Sequence, residues 1–231
     1  MRLFPRLLPL LLLICVPAWG HRLVQNDGTH DSVSTALEIE DPGLSQLVLQ
    51  ELSAESSQLW LSFQVKAGED LYFQLGLPDI SDNRAYRPAL ALLGPGLPAA
   101  TGLPFDVPEG YGALVFDSAD AAPQEFHEPF TGTDSLTLLE ETETAEMDAV
   151  YYLVLYDPEG APGKAWVAIG KREAFGVEDL VGFSETVNTV RSFHGVSDEP
   201  MPLLTRVLVA VSRFLTVVIT SFGFIALRLR S

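Results

Sequence analysis

Histidines and a dense population of carboxylates are the residues of this 231-residue chain with the most obvious chemistry to offer. Cleavage after Gly20 would make His21 the new N-terminus. Its terminal amine and ring, joined by a second imidazole from His30 or His127, form a T-shaped copper set, and imidazole is a good copper ligand. Asp27, Asp31 and the Asn26 carbonyl share one polar stretch and offer oxygens to calcium, which takes six to eight of them. That stretch lacks the spacing of a twelve-residue calcium loop. The competing readings are surface histidines and an ordinary polar turn. Enzyme templates are missing: there is no Gly-x-Ser-x-Gly elbow, no His-Glu-x-x-His pair and no phosphate-cradling glycine run. His127-Glu128 has no second histidine four residues on. The expectation is a protein that is not an enzyme and has no obligatory cofactor, with copper and calcium as the alternatives.

These residues need elements to position them, and the two ends of the chain differ sharply from its middle. Arg2 and Arg6 precede an apolar run from Leu7 to Val16, and Ala18-Trp19-Gly20 supplies the small residues of a cleavage site. This is the pattern of a secretory signal peptide over residues 1–20. The single cysteine, Cys15, lies inside it, so the mature chain would hold neither a disulfide nor a thiolate metal site. Residues 20–205 contain all 31 acidic residues and 8 of the 14 basic ones, a formal charge of −23. Such a domain is repelled by nucleic acid, which is excluded as a partner.

The middle alternates as strands do. Leu59, Leu61, Phe63 and Val65 form one apolar row, and Leu71, Phe73, Leu75 and Leu77 form another, with a turn at Gly68 between them. The spacing predicts a central β-hairpin. Further strands are expected over 36–40, 46–52, 88–93, 112–116, 136–139, 150–156 and 165–170. Val150–Tyr156 is apolar throughout, as a strand buried on both faces would be. Residues 99–110 and 119–134 are expected as surface loops, the second carrying the exposed aromatics Phe126 and Phe130, and 140–148 as an acidic connector. The fold class is therefore all-β: a jelly-roll-like antiparallel β-sandwich of about eight or nine strands over residues 21–172.

From Phe175 the period changes. Val177, Leu180, Val181, Val187 and Val190 recur at helical spacing, with Ser184 in an apolar position; Arg191 sits late and Gly195 can end the helix. An amphipathic helix is expected within 173–196, lying on lipid or on the sandwich, and a hinge over 197–206. Residues 207–227 are 21 mostly apolar residues, enough to cross a bilayer as a transmembrane helix. Arg213 interrupts them, either carrying its charge back to the interface or pairing with a partner. Arg228 and Arg230 place the tail, 228–231, in the cytoplasm.

Leu61-Ser62-Phe63-Gln64-Val65-Lys66-Ala67-Gly68-Glu69-Asp70-Leu71 resembles the start of the bacterial pre-peptidase C-terminal (PPC) domain, a jelly-roll-like sandwich found beside secreted proteases. Tyr151–Asp157, followed by a glycine and a last strand, is similar to its end. That family often carries an acidic pair just before the first of these strands; Ser57, Gln58 and Leu59 stand there in this chain, so a calcium site on that pair is not implied. The resemblance implies binding or assistance rather than catalysis. Three functional readings follow. The first is a single-pass type I membrane protein whose extracytoplasmic sandwich presents loops to a protein or glycan partner. The second is an extracytoplasmic metal-binding protein using His21 or the Asp27–Asp31 turn. The third is an accessory subunit held in a membrane complex through Arg213.

Overall fold

Period-two apolar patterning makes strands wherever the chain alternates, and in the structure, a computed structural model that describes residues 21–174 and 177–213 with the side chains of 177–181 excepted, it makes eleven of them. Strands β1 (Arg22–Val24), β3 (Gln46–Leu52), β11 (Gly163–Ile169), β5 (Asp70–Pro78), β9 (Thr133–Thr144) and β8 (Gln124–Glu128) lie in that spatial order in a six-stranded sheet. Strands β2 (Leu37–Glu38), β4 (Gln58–Val65), β10 (Ala149–Tyr156), β6 (Ala89–Gly94) and β7 (Gly112–Phe116) form a five-stranded one. The protein is a β-sandwich, as its patterning implies. Two details depart from the expectation. The strands number eleven, because β1 and β8 lie in stretches that read as polar loop; neither is long and apolar enough to show alternation. The sheets are also not wholly antiparallel, since β1 joins β3 and β2 joins β4 in parallel.

The largest correction concerns the expected hairpin. β4 pairs with β10 and β2, whereas β5 pairs with β9 and β11 in the other sheet. The chain therefore arches from one sheet to the other at residues 66–69. Gly68, at φ +84°, takes the left-handed conformation that this turn requires. The rows Leu59-Leu61-Phe63-Val65 and Leu71-Phe73-Leu75-Leu77 do face a common core, but across the sandwich. A second arch, residues 145–148, runs beside the first: Gly68 N–H donates to Ala145 O and Ala67 N–H to Asp148 Oδ1. The expected acidic connector is in large part strand, because β9 continues through Glu140, Glu141 and Glu143 to Thr144.

Each outer face carries a cover over part of its area. Residues 99–111 are not a projecting loop: Leu103, Phe105, Val107 and Tyr111 pack on Trp60, Ala91, Val154 and Tyr156 of the five-stranded sheet. The Phe105 ring stands edge-on to Trp60 at 5.1 Å and to Tyr156 at 5.3 Å. Over the six-stranded sheet lies helix α1 (Val177–Phe193), where the helical spacing places one, ended at Gly195 with φ +72°. Its Val187 and Val190 are buried. Beneath the helical layer the sheet surface is tight: a Cβ on Gly76 would stand 2.1 Å from the Trp166 ring. A second helix, α2 (residues 203–213), folds back against α1, with Ser184 N–H donating to Ser212 Oγ and Arg213 Nε donating to Ser184 Oγ. No helix among the described residues is long and apolar enough to cross a membrane. The expected span starts inside α2, and its residues 214–227 lie outside the described residues, as do the expected signal peptide and the tail.

Candidate functional site

The sandwich does not bring the three sequence-derived histidines together. His21 stands just before β1, at one edge of the six-stranded sheet, and His127 is on β8 at the opposite edge. Five strand spacings separate those edges, on the order of 24 Å. His30 lies beside the other sheet, where its carbonyl accepts from Trp60 N–H of β4 at 2.7 Å. Each ring is engaged locally. His21 Nδ1 meets Ser45 Oγ at 2.6 Å, and burial lowers its pKa against the opposing pull of Glu173. His30 Nδ1 donates to Thr35 O at 2.6 Å, and His127 Nδ1 meets Asp134 Oδ1 at 2.7 Å.

The acidic turn uses its oxygens on itself. Asp27 Oδ1 accepts from both the hydroxyl and the amide of Thr29, which hold its carboxyl below the usual carboxylate range. Asp31 Oδ1 accepts from Thr35 Oγ1, while Asn26 Oδ1 accepts from Gly28 N–H. These are the hydrogen bonds of side-chain-capped turns. Among the described residues no three His, Cys, Asp or Glu side chains are grouped to hold a metal ion.

With much of each face covered, the edges are the other surface to consider. β1 and β2 are three and two residues long. β7 is capped, because Ala113 N–H donates to Pro98 O at 2.8 Å. β8 is five residues long and pairs, among the described residues, with β9 alone. Four of its five residues are exposed, and Phe126 keeps 48% of its surface in solvent. Phe126 stands opposite Ser135 of β9, whose hydroxyl meets His194 Nε2 at 3.0 Å, so the ring lies on the face that α1 covers. Phe130 does not join it: it is half-buried, with its carbonyl accepting from Thr205 Oγ1 of α2. The carboxylates of this edge are divided between its faces: Glu128 shares the face of Phe126, while Glu125 and Asp134 lie on the opposite one, Asp134 against His127. Burial pushes the Glu128 carboxyl up, opposed by the amide of Phe130, which donates to its Oε1 at 2.8 Å.

A polar cluster that the sequence did not reveal fixes this corner. Arg191 of α1 is 1% exposed. Its Nη1 donates to Thr131 O and its Nη2 to Val196 O and Glu199 O, each at 2.6 Å. One side chain thus ties the helix end to the β8–β9 loop and to the segment expected as a hinge. That segment is docked, with Pro202 packed on Gly132. His194 is likewise buried. Its Nδ1–H donates to Val190 O at 2.8 Å, and burial favours the neutral ring, in which the Nε2 facing Ser135 is the unprotonated nitrogen. In sequence, Arg191 reads only as a cation near a helix C-terminus; its acceptors come from segments that local spacing cannot connect.

No protein-family model matches the chain, and no curated protein matches it. Solved structures similar to it include the pre-peptidase C-terminal domain of the collagenase from Bacillus anthracis. That domain is 11% identical, and the match covers 57% of this chain and 91% of that one at a TM-score of 0.29. Another is CorA, described as a surface-associated copper-binding protein important in copper acquisition by Methylomicrobium album BG8. It is 10% identical, with 59% of this chain and 98% of that one covered at a TM-score of 0.33. A pre-peptidase C-terminal domain is thus among the structural neighbours, in keeping with the loose resemblance of Leu61–Leu71. Likeness at this level says nothing of ligand or activity.

Proposed function

We propose that this chain is a membrane-anchored, extracytoplasmic β-sandwich that works by binding a protein partner, without catalysis of its own, and that the partner adds an extended strand to β8. One observation carries the reading. Of the edges among the described residues, β8 alone is neither very short nor capped, and it sets a half-exposed phenylalanine beside open main chain. Strand addition draws affinity from backbone hydrogen bonds and specificity from alternate side chains. Glu125, Glu128 and Asp134 favour a partner segment bearing lysine or arginine. The amino-terminal signal pattern and the apolar run 207–227 support export and anchoring.

The test uses the intact membrane form. A photo-crosslinking residue placed at position 126 should capture a partner. Phe126→Lys should abolish its co-purification and leave the unfolding midpoint of the sandwich in place, because the ring is half in solvent already. Undiminished co-purification with Phe126→Lys would overturn the assignment of β8.

A further inference from the structure

We infer that the cleft between α1 and the turn after β1 is a second binding site, and that it takes a neutral oligosaccharide. It lies toward the β1 edge of the six-stranded sheet, away from β8, so it is independent of the strand addition proposed above.

The cleft exists because the helical cover is off-centre. α1 is docked toward β9, where His194 meets Ser135, and the β3 side of the sheet stays partly open. Trp166 of β11 is 6% exposed, while Leu49, its register partner on β3, is half-buried. Leu49 and Lys164 line the cleft from the sheet, and Asn26 and Asp27 line it from the turn. Its volume is about 660 Å³, inside the range of roughly 300–1,000 Å³ usual for small-ligand sites.

The sheet side is fixed in advance. Asn26 Nδ2 donates to Leu49 O at 2.9 Å and to Gln50 Oε1 at 2.7 Å, and Gln50 Nε2 donates to Ser56 Oγ at 3.0 Å. Gln50 is 3% exposed. These bonds hold the turn against β3, so little remains to be ordered when a ligand arrives.

The helix side carries the chemistry. Asn188, Thr189 and Ser192 of α1 line the cleft at spacings of three and four, on one face of the helix. All three are exposed, and their side chains have no hydrogen-bond partner among the described residues. An exposed helical position without a further role is better filled by Glu, Lys or Ala, which are stronger helix formers than Asn, Thr or Ser. The chain has 31 acidic residues, yet none between Glu185 and Asp198. Open amides and hydroxyls suit a ligand that both donates and accepts without charge. Sugar hydroxyls do both, and one amide spans two neighbouring hydroxyls. Leu49 and the half-buried Phe193 offer apolar surface to the C–H face of a sugar ring.

Charge narrows the class further. The Asp27 and Glu51 side chains at the cleft are 71% and 68% exposed. Lys164 is the one cation lining it among the described residues. Its Nζ donates to Phe193 O at 3.3 Å and stands 3.9 Å from Glu51 Oε2. Two carboxylates against one engaged ammonium disfavour a uronate or a sulfated sugar.

The experiment takes the full chain in a detergent without a sugar headgroup. It is titrated with cellohexaose, maltohexaose and N-acetylchitohexaose, and with hexagalacturonate as the acidic counterpart. Saturation-transfer NMR reads contact and calorimetry reads Kd. At least one neutral hexasaccharide should bind, and hexagalacturonate should not. Asn188→Ala, Thr189→Ala and Ser192→Ala combined should raise Kd about tenfold or more, through the hydrogen bonds removed. Alanine is the better helix former, so the unfolding midpoint should hold or rise, and lost binding then reports the site and not the fold. Phe126→Lys should leave Kd in place. No contact with any neutral hexasaccharide, tighter binding of hexagalacturonate, or neutral binding that the triple variant leaves unaltered would each overturn the inference. A photo-crosslinking residue at position 192 that captures the partner caught from position 126 would make the cleft part of the protein interface and also overturn it.

Discussion

On the five-stranded sheet, Trp60 lies under Phe105 and Tyr152 in an apolar layer to which residues 99–111 contribute ring after ring. On the six-stranded sheet, the helical cover is joined to the strands and loops through Arg191, His194 and Thr205, by hydrogen bonds to carbonyls and one hydroxyl. The first cover is held by area, which is non-directional and indifferent to pH. The second is held by a few groups whose geometry must be right, each expensive to orphan. A cover of the first kind stabilises the sandwich as a whole. One of the second kind can come away locally while the sandwich beneath it stays folded. The polar cover is also the one next to the candidate partner edge.

Substitutions that remove one cover at a time put this contrast at risk. Trp60→Ala should have the greatest effect, about 3–5 kcal/mol of global stability for a fully buried aromatic, read as a lower denaturant midpoint. A loss confined to faster proteolysis within 99–111, with the midpoint unmoved, would show that the apolar cover is as separable as the polar one.

Arg191→Met keeps the apolar stem and removes the guanidinium, leaving the carbonyls of Thr131, Val196 and Glu199 without their donor. The expected cost is about 1–3 kcal/mol, and it should appear locally, as rapid amide exchange and proteolysis over 194–205 with little change in the sandwich. Collapse of the sandwich together with the helices would erase the distinction drawn here.

The mildest test is pH. Burial lowers the pKa of His194 below the ordinary histidine value, so between those two values the unfolded state binds more protons than the folded one. Its contribution is therefore complete above the ordinary value near 6.5 and is lost as pH falls below it. His21 acts in the same direction. Glu128, whose carboxyl is raised by burial, opposes them at lower pH. Protection of the α1 amides, corrected for the intrinsic exchange rate at each pH, should fall from pH 7 toward pH 5, and His194→Gln should flatten that dependence. An unchanged slope in the variant would exonerate His194.

Much of the candidate site was readable only in part. Phe126 stands out in sequence as an exposed aromatic, and the structure leaves it exposed. That it belongs to a strand was hidden, because an edge strand with both faces polar, Gln124–Glu128, has no alternation to detect. Phe130, its apparent companion, is covered by a helix that begins more than seventy residues later. The loop over 99–111 reads as surface because its glycines and prolines break any period, yet those breaks let Leu103, Phe105 and Val107 turn onto one sheet.

Residue spacing alone shows which side chains of β4 and β5 point inward, that β10 is buried on both faces, and that a helix ended by Gly195 follows them. Alternation and helical spacing are local properties of a chain, written in residues two to four apart. Folding of the whole chain sends β4 and β5 to opposite sheets, since a hairpin and an arch carry the same alternation and differ only in distant partners. It also decided that Arg191 is a buried clamp and not an ornament of a helix end, because the Thr131 carbonyl that it holds is sixty residues away.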